Sequence, residues 1–96
     1  MKKIKFEWDE AKAKSNLIKH GVSFDEAKSV FDDDFARVIY DETHSKNEER
    51  FVILGMSKKL RILVVVHCLG QDGLTVRLIS ARKATQNEQN QYKEFL

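Results

Sequence analysis

Arg77, Arg82 and Lys83 lie close together in the run Val76-Arg-Leu-Ile-Ser-Ala-Arg-Lys-Ala84. The first half of that run alternates like a strand, and its second half sets Arg82 beside Lys83 where a helix begins. On a continuous strand Arg77 and Lys83, six residues apart, point to one face. Cations gathered at a strand end are costly to bury and well suited to hold phosphate. The competing reading is that all three are solvated edge charges, because charged residues mostly stay exposed.

Two further groups carry side chains fit for chemistry. A polar loop and the strand after it supply His44, Glu48, Glu49 and Arg50, and a later apolar strand supplies Arg61 and His67, which share parity. If the faces coincide, one surface collects several cations and an imidazole. This set suits RNA cleavage without a metal. The 2′-hydroxyl must lose a proton as it attacks phosphorus, the leaving 5′-oxygen must gain one, and the phosphate builds negative charge. A Glu or His serves as base, a His or a cation as acid, and Arg and Lys stabilise the charge.

Plainer roles compete for the same residues. Arg50 can pair with Glu48 or Glu49 across a turn, a surface contact worth ~0–1 kcal/mol. His67 can be a neutral core histidine, and His44 a solvated loop residue. Asp32, Asp33 and Asp34 suggest a divalent cation, but consecutive carboxylates in a regular element do not all face one ion, and a solvated turn is the expected reading. One Cys and three scattered His do not make a zinc set. The four glycines fall at turns and form no phosphate loop. No cofactor is expected.

Composition bounds the frame. The 96 residues suffice for one domain with one two-layer core. The basic start, Met-Lys-Lys-Ile-Lys, is followed at once by Glu7, Asp9 and Glu10 rather than by the apolar stretch of a signal peptide. Ile62 to Val66 is too short to cross a bilayer, and the lone Cys68 fits a reducing compartment. A cytoplasmic protein that does not enter membranes is expected. The net charge of +2 hides an asymmetry. Residues 1–20 and 51–96 are basic, whereas residues 21–50 carry nine Asp and Glu against four Lys and Arg. Basic ends folded onto one face would attract a polyanion.

The elements that must position these groups follow from periodicity. Ile4, Phe6 and Trp8 alternate as a short strand or extended lead-in. Asp9 caps a helix running to about His20, with Ala13, Leu17 and Ile18 as its apolar stripe and Gly21 past its end. Ser23 and Glu26 have capping-box spacing before a second helix that shows Phe24, Ala27, Val30 and Phe31 on one face. Strands are then predicted at 35–40, 50–56, 60–68 and 74–81, joined by short turns into an antiparallel meander. Thr85 and Glu88 open a last helix to Phe95, polar except for Tyr92, Phe95 and Leu96 and therefore poorly anchored. The fold class is α+β, with a helical hairpin packed on a four-stranded antiparallel sheet.

Four motifs lie in register along the chain: Phe6-Glu7-Trp8-Asp9, Lys19-His20-Gly21-Val22, His44-Ser45 with Glu48-Glu49-Arg50-Phe51, and Ile79-Ser80-Ala81-Arg82-Lys83-Ala84-Thr85. Together they resemble the BrnT toxins, the ribonuclease halves of bacterial type II toxin–antitoxin pairs. The resemblance implies a RelE-like fold, an RNA substrate, arrest of translation, and a BrnA-like antitoxin with a ribbon-helix-helix. Operator DNA would be met only through that antitoxin. The family's site positions fall on Glu49, Arg50, Arg82 and Lys83, with Arg77 on the preceding strand. One departure stands out. Where many members carry an arginine after the third strand, this chain has Cys68-Leu69-Gly70, and His67 is the side chain placed to substitute. A catalytically weak or inactive RNA- or antitoxin-binding module is the alternative.

Overall fold

The computed structural model describes residues 4–40, 49–94 and 96. Strand β1 (Lys5–Glu7) leads into helix α1 (Glu10–His20), where the Asp9 carboxylate accepts from the Ala11 and Lys12 N–H groups. Gly21 ends α1 in the left-handed region at φ 68°, a conformation open to glycine because it has no Cβ to clash. Ser23 then caps helix α2 (Phe24–Lys28), which tightens into a 3₁₀ turn, Ser29–Asp32. Strands β2 (Arg37–Tyr40), β3 (Arg50–Met56), β4 (Ile62–Leu69) and β5 (Thr75–Lys83) follow. Thr85 and Glu88 form a reciprocal capping box at the start of helix α3 (Gln86–Lys93). No helix among the described residues is long and apolar enough to cross a membrane.

The sheet order is β1-β5-β4-β3-β2. Strands β2 to β5 form the expected antiparallel meander. The four-stranded antiparallel expectation fails at β1, which adds a fifth strand parallel to β5 through Lys5–Thr75, Phe6–Val76 and Glu7–Arg77. Only the alternation of residues 4–8 hinted at it, and no local turn betrays a parallel partner so distant in sequence. Phe6 sits edge-on against Phe31, with ring centres 5.2 Å apart, and so ties β1 to the core.

Two clusters sandwich the sheet. On one face Val22, Phe24, Ala27 and Val30 pack on Ile53, Leu63, Val65, Val76, Leu78 and Ala81. On the other, Leu54, Val64 and Ala84 are covered by Tyr92 of α3. Tyr92 is only 2 % exposed, so α3 is not the loosely attached helix its polarity suggested. Its hydroxyl donates to Asp33 Oδ2 at 2.6 Å, and the same oxygen accepts from the Met56 N–H at 2.8 Å. Asp33 is therefore a joint between the 3₁₀ turn, β3 and α3 rather than a solvated turn acid. Burial works against its charge, but the Met56, Tyr92 and Phe35 donors together hold its carboxyl below the usual range. Tyr92, buried beside that carboxylate, is pushed up to about 12.

The expected stripe of α1 also differs. Leu17 and Ile18 are exposed, and Asn16 is buried in their place. Its Oδ1 accepts from the Ala81 N–H at 3.0 Å and its Nδ2 donates to the Ala81 carbonyl at 2.8 Å, so the amide stands in as a neighbouring strand where β1 has ended.

Glu26 is fully buried. Arg61 grips it with two nitrogens, Nε to Oε2 at 3.0 Å and Nη2 to Oε1, while Ser57 Oγ donates at 2.6 Å. Arg61 holds the Glu26 carboxyl below its ordinary range. Arg61→Ala would leave a buried carboxylate without its cation, and urea unfolding should report a loss of about 3 kcal/mol. At Gly55 a Cβ would come within 2.8 Å of Val30 Cγ1 and 3.0 Å of the Ala36 Cβ, so Gly55→Ala should lower the urea midpoint as well.

Candidate active site

Residues opposite one another in a sheet share a face. Across β3, β4 and β5 the register sets Arg50, Cys68 and Arg77 in one row, and β1 extends it to Glu7. The next row on that face is Val52, Val66 and Ser80, and the third is Leu54, Val64 and Arg82. This is the face on which α3 packs, and its cluster covers the Leu54–Val64 end. Arg50, Arg77 and Arg82 therefore occupy one surface. Two strand spacings, roughly 10 Å, separate Arg50 from Arg77.

The expectation that Arg77 and Lys83 share a face is overturned by a register slip. Val66 opposes Ser80 but His67 opposes Leu78, so Ile79 is an extra residue in β5. Beyond it the parity inverts. Arg82 joins Arg77, and Lys83, opposite the fully buried Leu63, falls on the helix-hairpin side. Arg61 and His67 do share a side, as expected, but it is that same hairpin side. His67 is 2 % exposed and packs against Phe31 and Phe51, with ring centres 4.8 Å and 5.9 Å away. Its Nδ1 lies 3.4 Å from the Val65 carbonyl oxygen, and burial pushes its pKa down, which favours the neutral ring. Glu49 is exposed just before β3. His44 and Glu48 lie outside the described residues.

Arg82 is held firmly. Its two terminal nitrogens donate to the two carboxylate oxygens of Glu88, at 2.7 Å and 2.9 Å. Glu88 Oε1 also accepts from the Thr85 N–H at 2.8 Å. Arg82 is the main reason the Glu88 carboxyl is driven down, from 4.5 to about 2. One carboxylate thus caps α3 and fixes the guanidinium at the end of β5. Sequence reading found Glu88 only as a capping residue, and missed that a strand–helix corner brings it onto Arg82. It also missed Glu7 as the residue opposite Arg77 in the sheet, because that placement depends on the parallel pairing of β1. Among the described residues no cluster of three or more His, Cys, Asp or Glu is arranged to hold a metal ion.

Residues 8–88 match the model of a family described as the ribonuclease toxin BrnT of type II toxin-antitoxin systems. The chain belongs to the BrnT family. The 1.1 Å crystal structure of the Brucella abortus ribonuclease toxin BrnT is similar over 90 % of this chain and 100 % of that one, with a TM-score of 0.65 and 26 % identity. A comparison with curated proteins finds no match. As a BrnT protein the chain is a ribonuclease toxin of a type II pair, a class that implies an antitoxin partner and an RNA target. Among BrnT features read from sequence, Arg50, Arg77 and Arg82 converge on one face, whereas Lys83 and His67 do not join them.

The lowered Glu88 carboxyl makes a signed prediction. Its stabilising charge is fully present above the ordinary 4.5 and is lost as pH falls toward about 2. Urea unfolding of Glu88→Gln across that window should lack this part of the acid-induced loss that the parent chain shows.

Proposed function

We propose that this chain cuts single-stranded RNA without a metal ion, by attack of a 2′-hydroxyl on the adjacent phosphorus. The 2′-oxygen bonds to phosphorus as the bond to the 5′-oxygen breaks. The hydroxyl proton passes to a carboxylate, Glu7 or Glu49, and the leaving oxygen takes a proton from solvent. The products are a 2′,3′-cyclic phosphate and a free 5′-hydroxyl. Arg50, Arg77 and Arg82 hold the phosphate and oppose the charge that builds on it. The observation that carries this reading is the shared face of the three arginines, with Glu7 at the β1 end of the row; Glu49 is exposed one residue before Arg50 in the chain. Lys83 contributes attraction from the neighbouring edge, and His67 serves the aromatic core rather than proton transfer.

The biological reading goes one step beyond the family, which supports an antitoxin partner and an RNA target in general. RNA cleavage arrests translation, and a ribbon-helix-helix antitoxin of the BrnA kind neutralises the toxin. Operator DNA is contacted through that antitoxin and not by this chain.

A second reading has its own support. Glu88 already occupies both terminal nitrogens of Arg82, and Cys68 sits between Arg50 and Arg77. Such a surface would bind RNA without cutting it, with affinity that falls steeply as salt displaces the phosphate contacts. Incubating purified protein with RNA in excess EDTA separates the two. Cleavage is expected to give cyclic-phosphate ends, with Arg77→Ala and Arg82→Ala each slowing it by about 100-fold or more. Intact RNA at stoichiometric protein, with salt-sensitive binding retained, would establish the binding module instead.

A further inference from the structure

The turn from β3 to β4 contains a residue that the fold does not need. The Ser57 N–H donates to the Arg61 carbonyl at 2.8 Å and the Leu60 N–H to the Ser57 carbonyl at 2.9 Å, which closes a tight hairpin. This closure puts Leu60 at φ 61°, and among the described residues it is the only non-glycine with a positive φ. A leucine side chain crowds the backbone there, and glycine or asparagine would relieve it. Burial does not compensate, because Leu60 is 81 % exposed. A strained backbone under a bulky apolar side chain left in water points to a use outside folding.

Leu60 forms one wall of a cleft of about 460 Å³ where β3, β4, β5 and α3 meet. Met56 and Ile62 extend the apolar wall, while Arg61, Lys83, Lys93 and Gln89 supply the polar groups. No carboxylate lines the cleft. Arg61 is committed to Glu26, which leaves the two lysines as its outward charge. No ion pair among the described residues uses Lys83 or Lys93. Gln89 Nε2 donates to the Ala84 carbonyl at 3.3 Å, and this orients its amide. The volume lies within the range of about 300–1,000 Å³ typical of clefts that take small ligands.

An apolar wall, two ammonium groups and an amide together match one ligand chemistry: a base with its phosphate. Bases pack between apolar as well as aromatic side chains, and lysines take the backbone charge. The position matters too. Lys83 follows Arg82 at the very end of β5, where its side chain lines the cleft although its backbone position faces the hairpin side, so RNA held at Arg82 has to turn round the end of β5 to enter it. We propose that this cleft is a nucleotide subsite for the RNA that flanks the scissile phosphate, with Leu60 as the surface against which the base packs. The assignment rests on the ribonuclease reading but concerns binding alone.

The test uses a labelled single-stranded 2′-O-methyl oligoribonucleotide, which lacks the attacking hydroxyl and so reports binding without cleavage. Fluorescence anisotropy on the full chain should show Leu60→Gly weakening binding about fivefold, through the lost apolar contact. The same substitution should raise the Tm by about 3 °C or more, because it relieves the strained backbone. Lys93→Ala should weaken binding and flatten the slope of log affinity against log salt by about 0.7, the value of one lost phosphate contact on a single strand. Lys58→Ala, a charge removed from the same turn outside the cleft, should do neither. If Leu60→Gly and Lys93→Ala bind like the parent while the parent cuts unmodified RNA, the subsite is overturned and the ribonuclease reading stands. If the parent cuts nothing but both variants still lose affinity, the subsite stands and the cleavage reading falls.

Discussion

A single extra residue in β5 decides what the surface can do. Arg77 and Arg82 are five positions apart, so a regular strand would send them to opposite faces. Ile79, unopposed where Val66 meets Ser80 and His67 meets Leu78, inverts the parity and brings them together. The same slip lets Val76, Leu78 and Ala81 all reach the hairpin core although their spacing is uneven. Bulges of this kind re-aim side chains near functional sites. Here one defect in the ladder serves both the core and the arginine face.

Three carboxylates then hold the surrounding elements in place. Glu26 ties α2 to the start of β4 through Arg61, Asp33 ties the 3₁₀ turn to β3 and α3, and Glu88 ties α3 to β5 through Arg82. Three of the chain's fifteen Asp and Glu are thus turned inward, onto donors they meet at short range. The acidic middle segment is not simply a repelling patch, because two of its carboxylates act as joints. The cations of the later strands are left to define the character of the α3 face and the neighbouring cleft.

Local signals were legible in the sequence. Asp9, Gly21, Ser23 and the Thr85–Glu88 pair marked helix ends that the structure keeps within a residue, because caps act through neighbouring backbone groups. Strand β3 was read at its true limits for a related reason, with turn residues on either side of an apolar run. Non-local features were not legible. The parallel partner of β1, the buried amide of Asn16 against Ala81, and the reach of Glu88 to Arg82 all depend on where distant segments come to rest. The expected shared face of Arg77 and Lys83 was lost, since it relied on counting along β5, and a count cannot register a slipped residue. His67 shows the opposite case: its apolar neighbours allowed a core role from the start, and it sits between two phenylalanines.

The pairing of β1 with β5 has a consequence for how the molecule comes into being. Lys5 pairs with Thr75 and Glu7 with Arg77, so one edge of the sheet joins segments 70 residues apart. Contacts this remote in sequence form late, because a long loop must close before they return anything. During synthesis β1 has to wait, unpaired, until β5 has left the ribosome. The row that carries Arg77 is therefore complete only once β5 has docked between β1 and β4.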